Sequence, residues 1–205
     1  MTVFKSILDG VPSSHSWNVK IPGWCVTEKA MVLAGIVATL RPEVSLEIGV
    51  YGGSSFLPIA LAHKMIGRGI AIGIDPWSNA TAMREQTREI DREWWSSLDL
   101  EKIYTGFMEN IKLHGLEKFV RIHRNESRNV PPPNQIGLLH VDGSHGDTAV
   151  GDMMKFAPKV HPGGFCVTDD TTWHGGAVAR GEQRLIGLGF KKLYALGTGA
   201  VFQRI

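Results

Sequence analysis

Two short segments carry most of the chemistry legible in this sequence. One is Leu138-Leu139-His140-Val141-Asp142-Gly143-Ser144-His145; the other is Gly163-Gly164-Phe165-Cys166-Val167-Thr168-Asp169-Asp170. Each is an apolar run ending in acid, which reads as a strand with carboxylates at its carboxyl end. If the two strands are neighbours, Asp142, Asp169 and Asp170 converge. Two like charges about 4 Å apart repel by roughly 4 kcal/mol at an effective dielectric near 20. Three such pairs cost on the order of 12 kcal/mol, comparable with the whole stability of a domain, about 5–15 kcal/mol. The acids must take up protons, spread into water or share a cation. An all-oxygen set with no cysteine nearby selects a hard ion, Mg²⁺ first, with Ca²⁺ or Mn²⁺ as alternatives. Without an ion, Asp142 faces a bound ligand alone and Asp169-Asp170 caps a helix.

His145 lies three residues after Asp142. Imidazole titrates near neutrality, so His145 is a candidate general base for a hydroxyl acidified and positioned by the metal. The bland alternative makes it a helix cap or a ligand contact. His174, in Thr172-Trp173-His174, competes for the role of base. His140, inside a strand, reads as structural, and Cys166 reads as a small apolar filler.

A glycine loop supplies the second motif. Glu47-Ile48-Gly49-Val50-Tyr51-Gly52-Gly53-Ser54 follows one strand and opens a helix, an arrangement that brings a ligand close to backbone amides. Tyr51 stands where a dinucleotide fingerprint needs its second glycine, and no Walker lysine follows. Glu47 adds a negative charge, unfavourable beside phosphate and suitable beside an ammonium. A ligand with an amino-acid end and an adenosine end, lacking phosphate, fits these residues best. Asp75, at the tip of the second strand in Ile74-Asp75-Pro76-Trp77, is placed to grip a ribose diol, or else starts an Asp-Pro turn. Glu126 and Ser127, beyond the third strand, are placed to reach an adenine edge.

The elements that must position these residues alternate strand and helix, the pattern of an α/β protein with a Rossmann-like, doubly wound, mainly parallel sheet. Strands are expected at Val44–Ile48, Ile70–Ile74, Phe119–Ile122, Ile136–Val141 and Gly164–Thr168. Helices are expected from a Thr27 cap to Leu40, from a Ser54 cap to about Met65, and from Thr148 to Pro158. Phe190–Leu196 and Ala200–Arg204, joined at Gly197–Gly199, form a hairpin and make one edge antiparallel. The stretch from about residue 78 to 117 is a helical insert. Its charges from Thr81 to Trp95 read as a solvated face laced by i,i+4 pairs, and its tryptophans as packing or a dimer contact.

Composition bounds the partners. The 205 residues hold 43% hydrophobic and 20% charged residues, with 22 Lys+Arg against 20 Asp+Glu, an ordinary globular balance without a basic footprint for nucleic acid. No apolar run approaches the roughly 18–20 residues of a membrane span. The first residues, MTVFKSILDGVPSSHSW, lack a signal-peptide pattern, so a cytoplasmic location is expected. Two cysteines, Cys25 and Cys166, make no disulfide framework.

Together these residues resemble the class I S-adenosylmethionine-dependent methyltransferases, whose sheet ends in an antiparallel hairpin. More narrowly, Leu46–Ser54 with Val141-Asp142-Gly143-Ser144-His145 is similar to the metal-dependent sugar O-methyltransferases, the macrocin and mycinamicin enzymes and relatives labelled cephalosporin hydroxylases. The resemblance covers roughly Glu47 to Asp170 and implies one methyltransferase domain over residues 1–205. It implies that Asp142, Asp169 and Asp170 bind Mg²⁺ and that His145 is the base, with Asp142 beside both metal and cofactor. The loop residues Gly49, Tyr51, Gly52, Ser54 and Ser55, with Glu47 behind them, would hold the methionine end of S-adenosylmethionine. The chain departs from the group in two ways. The region before the first strand is short, so the macrolide-covering lid of the antibiotic enzymes is expected to be absent, and the acidic pair is Asp-Asp where some relatives have Glu-Asp. A small-molecule acceptor bearing a sugar-like hydroxyl is expected, and a homodimer. Rival readings are a catechol-type O-methyltransferase gated by Trp77, Trp94 and Trp173, and a cofactor-binding domain without catalysis. A nicotinamide oxidoreductase is disfavoured by Tyr51.

Overall fold

The computed structural model describes residues 21–205; the expectations for the first seventeen residues lie outside it. Its centre is a seven-stranded sheet in the order β3-β2-β1-β4-β5-β7-β6. The strands are β1 Val44–Ile48, β2 Ile70–Asp75, β3 Val120–Arg124, β4 Ile136–Val141, β5 Val160–Thr168, β6 Phe190–Leu196 and β7 Gly199–Arg204. The first five pair in parallel, and β7 runs antiparallel between β5 and β6. This is the expected mainly parallel, doubly wound α/β sheet with a C-terminal hairpin.

Helices cover both faces. On one side lie α1 (Thr27–Leu40), α2 (Phe56–Ile66) and, within the insert, α5 (Leu100–Leu113), burying Leu33, Phe56, Leu57, Phe107 and Ile111. On the other, α6 (Asp147–Phe156) and α7 (Ala177–Gly187) bury Met153, Phe156 and Leu185 against Leu46, Ile48 and Leu139. The insert begins with two shorter helices, α3 (Asn79–Met83) and α4 (Glu89–Ser97). Among the described residues, no helix is long and apolar enough to cross a membrane.

Two expected caps are corrected. Thr27 is the first helical residue of α1, not its cap, and α1 ends at Arg41 in the left-handed conformation. Ser54 does not cap α2; its hydroxyl accepts from the Cys25 amide at 3.4 Å. Helix α7 is an element that the sequence reading did not place.

Topology alone sets the site. Chain order reverses between β1 and β4, the switch point where open α/β sheets bind ligands at the carboxyl ends of their strands. Register then aligns the tips. Ile48 pairs with Val141 and Val141 with Thr168, so Gly49, Asp142 and Asp169 follow side by side. The Asp142 amide donates to Ile48 O at 2.8 Å, and the Asp169 amide to Val141 O at 3.1 Å.

Candidate active site

The glycine loop leaves β1 under tight steric control. Gly49 sits at φ +88°, and a Cβ there would lie 2.2 Å from the Asp142 carbonyl oxygen. Only glycine permits both the conformation and the approach. Asp75 holds the loop from the neighbouring strand: one carboxylate oxygen accepts the amides of Val50 (3.0 Å) and Tyr51 (2.9 Å), and the other accepts the Trp77 amide (2.7 Å). Three of a carboxylate's roughly four acceptor positions are thus taken by the loop's own backbone. The first job of Asp75 is to shape the loop, which leaves little of the carboxylate for a ribose diol. Burial pushes its carboxyl up. Tyr51, at φ +49°, stacks its ring on Trp24 at 5.2 Å.

Above the strand tips lies a cavity of about 1090 Å³. That is at the top of the roughly 300–1,000 Å³ range for single-ligand pockets, so it has room for a cofactor and an acceptor together. Of the residues expected to bind cofactor, Gly49, Tyr51, Ser54, Ser55, Asp75, Glu126, Ser127 and Asp142 line it. Glu47 and Gly52 do not. Glu47 is buried beneath the loop, accepting the Ser55 hydroxyl at 2.7 Å and lying 3.1 Å from His140 Nδ1, its register partner. A direct grip on a cofactor ammonium does not fit this placement. Gly52 packs against Pro22. The Glu126 carboxylate is held by Arg84 (2.8 and 2.9 Å) and Arg128 (2.8 Å), so it is not free to accept from adenine. The Arg84 hydrogen bonds and both arginine charges hold its carboxyl down at about 2. At the same end of the cavity, Asp152 was not anticipated from sequence. Burial pushes its carboxyl up to about 6, against a hydrogen bond from Ser127 and the charge of Lys155.

The acid cluster departs most from expectation. Asp142 and Asp169 do converge, but the ammonium of Lys29 lies between them. It donates to Asp169 Oδ2 and sits 3.9 Å from Asp142 Oδ2, with its side chain only 8% exposed. The other oxygen of Asp169 accepts the Thr198 hydroxyl (2.6 Å) and the Asp170 amide (3.0 Å). Asp170 instead engages His145, with Nε2 to Oδ2 at 2.8 Å. The donor atoms that lie within 4.8 Å of one another belong to His140, Asp142 and Asp169, not to the expected three aspartates. A divalent ion on Asp142, Asp169 and Asp170 does not fit these side chains as they stand, because Lys29 already occupies the space between two of them. The signal for Lys29 was present in the sequence. It heads the stripe Lys29, Leu33, Val37 with Ala30 and Ala34, the buried face of α1, and a lysine in phase with an apolar stripe requires a buried partner.

Three further readings are corrected. The charges from Thr81 to Trp95 do not lace one helix, since the chain breaks between α3 and α4: Arg88 and Asp91 keep a local i,i+3 pair, but Arg84 and Glu85 are sent across the cavity. Arg84 reaches Glu126, and Glu85 accepts from the Ser144 hydroxyl and from the Thr148 amide (3.1 Å) and hydroxyl (2.8 Å). Trp77 is no gatekeeper; it is core, packed on Phe107 and Tyr104. His174 is exposed and does not line the cavity, whereas His145 does. Burial pushes both thiols up, that of Cys25 to about 12, so neither is a nucleophile.

Comparison with known proteins agrees with this geometry. No curated protein matches the sequence. Among solved structures, the fold is similar to the O-methyltransferase NovP (TM-score 0.67, 14% identity, covering 99% of this chain and 96% of that one). It is also similar to the S-adenosylhomocysteine-bound methyltransferase PaMTH1 of Podospora anserina (0.65, 12%, 100% and 88%). A third is the O-methyltransferase TomG of Streptomyces achromogenes, involved in tomaymycin synthesis and solved with S-adenosylmethionine (0.62, 13%, 100% and 90%). At such identities the likeness is one of fold. The model of the methyltransferase domain family matches residues 46–171, from within β1 to just past the Asp169-Asp170 pair. That is more than half of the chain and includes both segments from which the chemistry was first read, and the chain belongs to the methyltransferase domain family.

Proposed function

We propose that the protein transfers a methyl group from S-adenosylmethionine to a hydroxyl of a small-molecule acceptor. The observation that carries this reading is the His145–Asp170 pair, set in the same cavity as the glycine loop. S-adenosylmethionine, when bound, supplies a methyl on a positively charged sulfur. Gly49, Tyr51, Ser54 and Ser55 line the cavity that would accommodate the cofactor.

His145 supplies the base. Its Nε2 lies 2.8 Å from Asp170, which orients the ring; Nδ1 is buried and without a hydrogen-bond partner among the described residues, so the ring or its cover must shift for the imidazole to meet the acceptor. Burial alone would push the Asp170 carboxyl up; the His145 hydrogen bond and charge, with the charge of Lys29, outweigh it and hold the carboxyl below its usual range. Asp170 is therefore ionised when the imidazolium forms. The acceptor's hydroxyl proton passes to the His145 imidazole and its oxygen forms a bond to the methyl carbon. The carbon–sulfur bond breaks, with its electron pair left on sulfur. The rest of the acceleration comes from aligning oxygen, methyl and sulfur. No step is assigned to Mg²⁺, Ca²⁺ or Mn²⁺, since Lys29 stands among the acids.

The acceptor class is a sugar or glycosylated small molecule, as the Asp142-Gly143-Ser144-His145 motif suggests. A catechol-type acceptor is the second reading. It is favoured by the apolar wall of Trp24, Trp94 and Trp173, with Trp173 4.4 Å from the His145 ring. Calorimetric titration with S-adenosylhomocysteine and with NADH, followed by mass spectrometry of glycoside and catechol panels incubated with S-adenosylmethionine, tests the proposal. The expected result is binding of S-adenosylhomocysteine but not NADH, and a methyl ether from one panel. Tight cofactor binding with no product in either panel would leave a binding domain without catalysis.

A further inference from the structure

We infer that Lys29 is the resident cation of the acid cluster, taking the place of the divalent ion that converging acids at two strand tips would otherwise require. The inference rests on the methyltransferase reading above for what the cluster serves, but not for its geometry. Register forces Asp142 and Asp169 together at the switch point. The Lys29 ammonium contacts Asp169, with which it is buried, and lies 3.9 Å from the partly exposed Asp142. One positive charge between two negative ones removes the repulsion that made an ion necessary. The acceptor positions of Asp169 are also filled by this chain, through Lys29, Thr198 and the Asp170 amide.

Adding a divalent ion to this arrangement is unfavourable. A doubly charged ion placed beside the ammonium would be repelled by it in a partly desolvated site. Lys29 would have to leave, and its stem runs along the buried face of α1. Removing the ammonium has the opposite effect. His140, Asp142 and Asp169 keep one donor atom each within 4.8 Å of the others. His140 Nδ1 lies 3.1 Å from Glu47, which leaves Nε2, buried and 3.9 Å from Asp142 Oδ2 with no hydrogen bond among the described residues, as the donor facing the acids. Lys29 is thus a positioning residue that fixes two carboxylates and denies the site to metal.

The test measures metal binding directly. Chelator-treated wild type, Lys29→Met, Lys29→Ala, Asp142→Asn and the double variant Lys29→Met/Asp142→Asn are titrated with Mn²⁺ and followed by electron paramagnetic resonance. Circular dichroism and the urea midpoint serve as the check of folding. Wild type is expected to take up no stoichiometric Mn²⁺. Lys29→Met and Lys29→Ala should gain one site at least about tenfold tighter than any wild-type binding, a change of about 1.4 kcal/mol. The double variant should lose that site. One wild-type Mn²⁺ site abolished by Asp142→Asn would overturn the inference. So would failure of both Lys29 variants to gain a site while folded by circular dichroism. If the Mn²⁺ pattern holds but no acceptor is methylated, Lys29 keeps its role and the proposed reaction fails on its own.

Discussion

The His145–Asp170 pair makes a prediction with a definite form. The two groups are 2.8 Å apart with side chains 18% and 26% exposed, between a solvated pair and a dry one. Full charges at about 4 Å and an effective dielectric near 20 give roughly 4 kcal/mol, an upper figure because the imidazolium is only partly formed in the transition state. Hydrogen bonds to charged groups are worth about 1.5–3 kcal/mol net. Asp170→Asn should therefore lower kcat about 10–100-fold, at about 1.4 kcal/mol per tenfold, with little change in S-adenosylhomocysteine affinity. Removing the base itself with His145→Ala should cost about 10²–10⁴-fold. Because Asp170 acts through the imidazole, the double variant should be no slower than His145→Ala. The assay is the initial rate of S-adenosylhomocysteine release with both substrates saturating, over the four members of the cycle. If the two losses multiply instead, Asp170 acts independently of His145, through acceptor or cation, and the dyad is wrong.

Asp152 predicts a pH dependence of stability. Its folded carboxyl lies at about 6 against an ordinary 3.8, so the native state holds the proton more tightly than the unfolded chain. The resulting stability, about 3 kcal/mol at about 1.4 kcal/mol per pKa unit, is fully present below the ordinary value and lost as pH rises through about 6. Urea midpoints of wild type and Asp152→Asn from pH 4 to 7.5 should show the wild type losing up to that amount relative to the variant; parallel curves would refute it. For Gly49→Ala, the strained φ and the Asp142 carbonyl 2.2 Å from the new Cβ predict a loss of more than about 2 kcal/mol in urea denaturation. A fully stable variant that binds S-adenosylhomocysteine as wild type does would show that the β1–β4 approach is not tight.

The sheet was legible because each parallel strand is a short apolar run and the terminal hairpin carries its own turn. The pattern Val44–Ile48, Ile70, Ile136–Val141 survives almost to the residue. Helix α7 was missed because Ala177–Gly187 is rich in Gly and Arg and follows the irregular Thr171–Gly176 segment, so its stripe of Val178, Gly181, Glu182 and Leu185 does not announce itself. The insert was misread for a different reason. Spacing alone pairs Arg84, Glu85 and Arg88 along one helix, yet the helix breaks there; Arg88 keeps a local i,i+3 partner in Asp91, while Arg84 and Glu85 find theirs over long sequence separations, Arg84 with Glu126 and Glu85 with Ser144 and Thr148. Charge spacing is informative only while the backbone stays regular.

The acid cluster shows where that limitation falls hardest. Convergence of Asp142 with Asp169 follows from strand order and was derivable from sequence. So was the conclusion that such convergence needs a cation. What strand-tip reasoning lacked was the helix upstream of β1, which packs beside α2 and carries Lys29 at its first turn on the buried face. The electrostatic demand was right and the identity of the cation was not. A parallel sheet gathers like charges at one end by construction, and the remedy can come from any element that crosses that end. When strand tips carry acids, the next residues to examine are the lysines and arginines in phase with apolar helix stripes. A cation buried there has its carboxylate partner already, and that partner is no longer free for a metal.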